Sequence, residues 1–114
     1  MANIRLACSL LKGTKLDMDK DMQPTMTIDT DGTKKWRLNG IYHRIDGPSI
    51  EYTKGRKCWF LCGKRHRTDG PAVIYTSGYN SWWLNDKEML FNEWLDQNNE
   101  LTEEEKVMFK LKYG

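Results

Sequence analysis

The sequence contains no apolar run that approaches the roughly 20 residues needed to span a membrane. It also shows no segment with the layout of a secretory signal, and too few residues precede Cys8 for a lipoprotein signal. An odd set of three cysteines without such a signal predicts reduced thiols. Together these absences predict a cytoplasmic protein that does not bind a membrane.

Acidic residues are scarce in the middle of the chain. Residues 33–78 carry 10 Lys and Arg against 3 Asp and Glu, whereas residues 79–114 carry 4 against 8. Basic charge therefore lies on the central segment and acidic charge on the C-terminal one. A chain of 114 residues with 39% apolar residues predicts one domain with a modest core. Five tryptophans would supply much of that core.

The central segment contains an internal repeat. Residues 33–55 and 56–78 are two copies of a 23-residue unit, and a fixed period with many matches indicates a repeat architecture. The matched pairs include Trp36 and Trp59, Leu38 and Leu61, His43 and His66, Arg44 and Arg67, Asp46 and Asp69, and the Gly-Pro after each aspartate.

Alternating apolar and polar residues predict two strands in each unit. In the first unit these strands are expected over residues 34–39 and 49–53, with equivalents in the second. Gly55 predicts a tight turn after the second strand, because glycine adopts positive φ without steric cost. Residues 39–48 are predicted to form a longer loop between the two strands.

The flanking segments vary the pattern. Residues 26–32 match the second half of a unit, which predicts a strand closed by an Asp-Gly turn. A third unit begins at Tyr79, and Thr102 with Glu105 forms a capping box that predicts the start of a second helix. Repeat arrays need atypical terminal units, so we expect the helices to form a cap. The first of these helices is expected to carry Met89, Leu90, Phe91, Trp94 and Leu95.

The predicted fold is therefore α+β and mainly β. It is an antiparallel meander of β-hairpin repeats that forms one twisted sheet, capped by two C-terminal helices. We expect a single domain with an N-terminal segment (1–25), β repeats (26–86) and a helical cap (87–114).

The motif Trp-x-Leu-Asn-Gly-x-x-His-Arg-x-Asp-Gly-Pro-Ser/Ala resembles the MORN-like repeats of small bacteriophage and giant-virus proteins. The resemblance covers about residues 26–86, and it departs from typical MORN repeats at Arg44 and Arg67, where those usually carry Gly. It implies a row of β-hairpins, a phage origin and a cytosolic, non-enzymatic binding role.

The repeated His-Arg-x-Asp set could supply a general base and a phosphate-binding arginine, as a nuclease-like enzyme would need. Tandem duplication favours a structural role instead, in which these side chains tie each loop to its neighbour through hydrogen bonds. We therefore predict no catalytic residue. The predicted structural residues are Trp36, Trp59, Trp82, His43, His66, Arg44, Arg67, Asp46 and Asp69.

The spacing of Cys58, Cys62 and His66 suggests a zinc site. Two cysteines four residues apart on a strand would lie about 13 Å apart, too far to bind one ion. A fourth ligand is also missing. The sequence therefore predicts no metal and no cofactor.

The repeats differ most on the face expected to lie opposite the tryptophans. Arg37 corresponds to Phe60 and Trp83, and Glu51 corresponds to Ile74. A stripe of Phe60, Ile74 and Trp83 would cross a face that should be polar, so something must cover it. We expect the C-terminal helices to do so, and the alternatives are a partner protein and a second copy of the chain.

The leading functional hypothesis is a small interaction protein that binds and modulates or inhibits a host protein. The alternative is a nucleic-acid-binding module, because basic loops beside aromatic rings can hold single strands, and a His/Asp nuclease comes third. An exposed sheet edge would also allow a homodimer. The predicted binding residues are Phe60, Ile74, Trp83, Arg37, Lys64 and Arg65.

Overall fold

The computed structural model describes residues 23–114, so most of the predicted N-terminal segment lies outside the described residues. Within this range the fold is α+β and mainly β, which confirms the predicted class. An antiparallel sheet of hairpins is followed by two helices.

The described strands follow the repeat units in order. Eight of them form one antiparallel sheet, in the order β1-β2-β4-β5-β8-β9-β10 with β3 paired to β2, and β6 and β7 form a second, two-stranded sheet. The strands are β1 (Thr25–Ile28), β2 (Lys34–Leu38), β3 (Ile41–Tyr42), β4 (Ile50–Glu51), β5 (Lys57–Cys58), β6 (Phe60–Leu61), β7 (Lys64–Arg65), β8 (Val73–Ile74), β9 (Asn80–Leu84) and β10 (Lys87–Met89), and the helices are α1 (Phe91–Gln97) and α2 (Glu103–Tyr113).

The first unit contains one more strand than predicted, β3, and the second contains two more, because its first predicted strand is divided into β5 and β6. Asn39 and Gly40 have φ values of 51° and 86°, and the chain returns through them so that Arg37 pairs with Tyr42. Two successive residues with positive φ are typical of a type I′ turn, whose twist matches that of the flanking strands. The prediction of a long loop over residues 39–48 is therefore wrong, because Asn-Gly closes a two-residue hairpin.

The same left-handed turn recurs at Cys62-Gly63 and at Asn85-Asp86. The third unit thus completes its hairpin although neither turn residue is glycine. Met89, which was predicted on the first helix, ends β10 instead and is buried. The repeat continues for one hairpin before the chain becomes helical.

The tight turns at the other end of the units match the prediction. The backbone N–H of Gly55 donates to the carbonyl of Tyr52 at 2.9 Å, and that of Gly78 donates to Tyr75 at 3.0 Å. The turn that closes β1 has the same bond, from Gly32 to Asp29 at 2.9 Å. The degenerate unit before the first full one is therefore a strand and a turn, as predicted.

Strand register defines two faces of the sheet. Cross-strand pairing aligns one residue from each of β2, β4, β5, β8 and β9 in a single row across the sheet. All members of this row except Lys35 are buried. Successive side chains along a strand alternate between faces, so the tryptophans lie on the opposite side, called here the tryptophan face. The row is Lys35, Ile50, Cys58, Val73 and Ser81, and the tryptophans are Trp36, Trp59 and Trp82.

The register corrects the predicted position of Ile74. Ile74 pairs with Lys57, which lies on the tryptophan face, and Glu51 occupies the equivalent position of the first unit. Alternation within one strand does not fix its phase relative to the next, because the connecting turn sets the register. The prediction that Ile74 forms a stripe with Phe60 and Trp83 is therefore wrong.

The two helices cover the Trp82 end of the tryptophan face. Trp94 is fully buried, with its ring centre 4.7 Å from that of Trp82, and its Nε1 donates to the carbonyl of Arg67 at 2.9 Å. From α2, Phe109 and Tyr113 pack on the same cluster. The helices therefore cap the array, but the expectation that they cover the stripe on the opposite face is wrong.

The start of α2 has the capping box that the sequence predicts. Thr102 Oγ1 accepts a hydrogen bond from the backbone N–H of Glu105 at 3.1 Å, and Glu105 Oε1 accepts one from the N–H of Thr102 at 2.8 Å. These bonds satisfy backbone donors that a helix start otherwise leaves unpaired.

Candidate interaction surface

Both histidines of the repeat hold the hairpin turn of the following unit. His43 Nδ1 accepts a hydrogen bond from the backbone N–H of Cys62, and His66 Nδ1 accepts one from that of Asn85, both at 2.9 Å. Each donor is the first residue of a left-handed turn. This is the tie between neighbouring units that a structural role requires.

Burial makes His66 a poor general base. Its side chain is 8% exposed, and this burial lowers the pKa of His66. Because Nδ1 accepts a bond, the neutral ring carries its proton on Nε2, which is itself buried. Neither nitrogen can reach a substrate in solvent, which a general base must do.

The arginine after each histidine is held on three sides. The guanidinium of Arg67 lies 3.8 Å from the ring centre of Trp59, its Nε donates to Asp69 at 2.8 Å, and its Nη1 donates to the carbonyl of Pro71 at 3.0 Å. Arg44 makes the same three contacts, with Trp36, Asp46 and Pro48.

The glycine of each Asp-Gly-Pro allows this arrangement. A Cβ on Gly70 would lie 2.6 Å from Cζ of Arg67, and one on Gly47 would lie 2.8 Å from Cζ of Arg44. The glycine is therefore required for close approach of the guanidinium. All parts of the repeated motif thus act within the fold.

The cysteines do not form the zinc site that their spacing suggested. Cys58 is a buried free thiol, and burial raises its pKa, so little thiolate is present at neutral pH. Cys62 is disulfide-bonded, so the prediction of reduced thiols is wrong there. Within residues 23–114 no three His, Cys, Asp or Glu side chains are placed to hold a metal ion.

On the face opposite the tryptophans, two arginines and three aromatic rings form a continuous chain of contacts across three units. Arg37 lies 4.9 Å from the ring centre of Tyr42, and that ring is 5.3 Å from Phe60. Arg65 lies 5.4 Å from the Phe60 ring and 5.0 Å from the Trp83 ring. We call these five residues the arginine–aromatic ladder. Each cation–ring contact contributes about 0.5–2 kcal/mol, depending on burial.

Hairpin register and the core beneath produce the ladder. Arg37 and Tyr42 are cross-strand partners on β2 and β3, and Phe60 and Arg65 are partners on β6 and β7. The type I′ turns set these pairs directly opposite each other, where side chains interact most. The buried residues Ile50, Cys58 and Val73 pack beneath the aromatic rings.

The ladder arginines have no carboxylate partner among residues 23–114. Arg37 donates to the Tyr42 hydroxyl at 3.3 Å and to Thr27 Oγ1 at 3.5 Å, both neutral acceptors. Nε of Arg65 is buried and lacks a hydrogen-bond partner in this part of the chain. All five ladder side chains are partly exposed. The ladder therefore presents positive charge that the described fold does not neutralise.

Four of the six predicted binding residues meet in the ladder, and two do not. Lys64 pairs with Leu61 and so lies on the tryptophan face, as Ile74 does. Sequence reasoning missed Tyr42, although it aligns with Arg65 and so also marks a position where the units differ. The four residues that meet are Arg37, Phe60, Arg65 and Trp83.

No protein-family model matches the chain, and neither a curated protein nor a solved structure matches it. The resemblance to MORN-like repeats therefore stays a prediction. In the part of the chain that the structure describes, neither helix has the length and apolar character needed to cross a bilayer.

Proposed function

We propose that this chain is a small non-catalytic module that uses the arginine–aromatic ladder to bind an acidic surface of a partner protein. The observation that carries the proposal is that Arg37 and Arg65 are partly exposed among aromatic rings without a carboxylate partner among residues 23–114. Guanidinium groups bind carboxylates through charge-assisted and often bidentate hydrogen bonds.

The arrangement of the ladder favours a protein over a nucleic acid. Single-stranded nucleic acid binds where bases stack on open ring faces. Arg65 lies against the rings of both Phe60 and Trp83, so these faces are partly occupied. Rigid aromatic and arginine side chains are also the residue types that contribute most at protein interfaces.

The positions of the other basic residues also favour a protein partner over a nucleic acid. Arg44 and Arg67 are bound to carboxylates within their own loops, and Lys64 lies on the face opposite Arg65. Within residues 23–114, these four basic residues therefore form no continuous row of unpaired cations on one face for a phosphate backbone. A non-catalytic role is supported by the engagement of both His-Arg-x-Asp sets in the fold.

Arg65 and Lys64 offer a matched test, because they are adjacent cations on opposite faces. We expect Arg65→Glu to abolish binding to a soluble Glu/Tyr copolymer, an acidic aromatic probe, and Lys64→Glu to keep it. Fluorescence anisotropy at two salt concentrations measures both, with a single-stranded oligo-dT as a second probe. Equal loss in the two variants would contradict the ladder site. Tighter binding to oligo-dT than to the copolymer would favour the nucleic-acid function.

The identity of the partner stays a prediction. The resemblance to phage repeat proteins suggests a host protein that this chain modulates or inhibits. Affinity capture from a bacterial lysate tests this when one protein is retained by the wild type and by Lys64→Glu but lost from Arg65→Glu. Capture of the same protein by all three would contradict the proposal.

A further inference from the structure

Helix α2 exposes an apolar stripe that the rest of residues 23–114 does not cover. Val107, Met108 and Leu111 are 55%, 65% and 80% exposed. Their spacing places them on one side of the helix, whereas Phe109 and Tyr113 pack into the core from the other side. The stripe is therefore not needed to hold α2 on the sheet.

Charges are separated along the same helix. Its first turn carries Glu103, Glu104 and Glu105, and its last turn carries Lys110 and Lys112. Glu103 and Lys110 are seven residues apart, which is two turns, so they flank the stripe on the same side. One end of the exposed surface is therefore acidic and the other is basic.

We propose that this surface binds a second copy of the chain, with the two α2 helices packed antiparallel about a two-fold axis. A two-fold interface brings the same patch of each copy together. The antiparallel arrangement places Val107 and Met108 of both copies at the centre, and Leu111 of each copy next to the first turn of the other. It also sets the acidic first turn of each helix against the basic last turn of the other.

Complementary charge is the reason to choose a second copy over another partner. The partner proposed for the ladder has an acidic surface, and the glutamates at the start of α2 would repel such a surface. The same partner is therefore not expected to bind the stripe. A parallel pairing of two α2 helices would place like charges together, which is unfavourable. Antiparallel self-pairing covers the stripe and pairs both charged ends with opposite charges at once.

The dimer is expected to be weak. Eleven helical residues span roughly 16 Å, and a pair of such helices buries less than the ~800 Å² per partner of a standard interface. Each copy contributes one ladder on the opposite side of the sheet from its helices. Two linked ladders would increase the apparent affinity for a partner with repeated acidic sites.

Sedimentation velocity between about 10 μM and 1 mM, a range chosen for a weak complex, tests the proposal. We expect the mass of the wild type to rise toward that of a dimer, and Leu111→Glu to weaken association by at least about tenfold. Leu90→Glu is the matched control, because Leu90 is 75% exposed but lies outside α2. Circular dichroism should show wild-type helix content in both. A wild type that stays monomeric, or a Leu111→Glu variant that dimerises normally, would overturn the proposal.

Charge exchange tests the antiparallel geometry. Lys110→Glu and Glu103→Lys should each weaken self-association, since each replaces opposite-charge contacts by like-charge contacts. An equimolar mixture of the two should restore dimers, because each variant then meets the opposite charge. Restoration detected with one variant fluorescently labelled supports the arrangement, and a mixture that associates no better than either variant alone overturns it.

Discussion

Arginine packs on aromatic rings on both faces of the sheet, but its surroundings differ. On the tryptophan face, Arg67 lies on Trp59 and is also held by Asp69 and a backbone carbonyl. In the ladder, Arg65 lies between two rings and has no carboxylate partner among residues 23–114. An arginine–ring contact therefore stabilises the fold on the tryptophan face, whereas in the ladder it leaves a positive charge that a partner could bind.

The third unit shows what the tryptophan face requires. Leu90 stands at the position of Arg44 and Arg67, so the third unit lacks the repeat arginine that would cover Trp82. Rings from the helical cap take its place, with Phe91 at 4.8 Å and Trp94 at 4.7 Å between ring centres. Each tryptophan on this face is therefore covered from within the chain, which supports a structural role for all three.

The largest expected effect comes from breaking the cap on the tryptophan face. Trp94→Ala should destabilise the protein by about 3–5 kcal/mol, because it removes a fully buried ring and leaves a cavity beside Trp82. Urea denaturation followed by tryptophan fluorescence measures it. Leu90→Ala, at an exposed site, is the control and should change stability little. A loss below about 1 kcal/mol for Trp94→Ala would show that the cap does not stabilise the sheet.

A pair of arginine variants tests the comparison itself. Arg67→Ala should destabilise by about 1.5–3 kcal/mol, because it removes charge-assisted hydrogen bonds and leaves the Pro71 carbonyl unpaired. Arg65→Ala should cost only about 1 kcal/mol of stability, from two ring contacts of about 0.5 kcal/mol each at a partly exposed site, while weakening binding to the acidic probe. Equal stability losses from the two variants, measured in urea, would remove the distinction between the faces.

The Gly70→Ala variant tests whether the close approach of the Arg67 guanidinium to residue 70 contributes to stability. Gly70→Ala should destabilise by about 1–3 kcal/mol, as overpacking does, because the new Cβ would displace the guanidinium. In the Arg67→Ala background the same change should cost much less, since the clashing atoms are gone. Additive losses in this double-mutant cycle would contradict the contact.

The smallest expected effect is a pH dependence from His66. Burial lowers its pKa below the usual 6.5, so the unfolded chain binds a proton first as the pH falls. Stability should therefore decrease from about pH 6.5 downward by at most about 1.4 kcal/mol per pH unit, and the loss should end once the folded state is also protonated. Urea midpoints between about pH 7.5 and 5.5 measure this, above the usual range of exposed carboxylates. The His66→Gln variant should lose less stability per pH unit over this range. An unchanged dependence of stability on pH would contradict the assignment of this effect to His66.

The repeat explains why so much of the fold could be predicted. The 23-residue period of the repeat, the tight turns and the capping box at Thr102 each depend on local residue types, which the sequence shows directly. The phase of the second strand could not be predicted, because it depends on the register that the turn imposes between strands. For that reason Ile74 was placed on the wrong face, while Phe60 and Trp83 were placed correctly opposite the tryptophans.

The candidate site was predictable only in part for a related reason. Arg37, Phe60 and Trp83 share an aligned position, so their divergence was visible in the sequence. Tyr42 joins them only because Asn39 and Gly40 turn the chain back within two residues. A type I′ signal at Asn-Gly, applied before the loop was assigned, would have placed Tyr42 opposite Arg37.

The most direct test of the central claim is site-specific photocrosslinking to the captured partner. A benzoylphenylalanine at position 42 keeps an aromatic ring in the ladder, and one at position 64 lies on the tryptophan face. The partner should crosslink efficiently from position 42 and weakly from position 64, with both variants unfolding at the wild-type urea midpoint. Equal crosslinking, or a preference for position 64, would contradict the ladder as the binding surface.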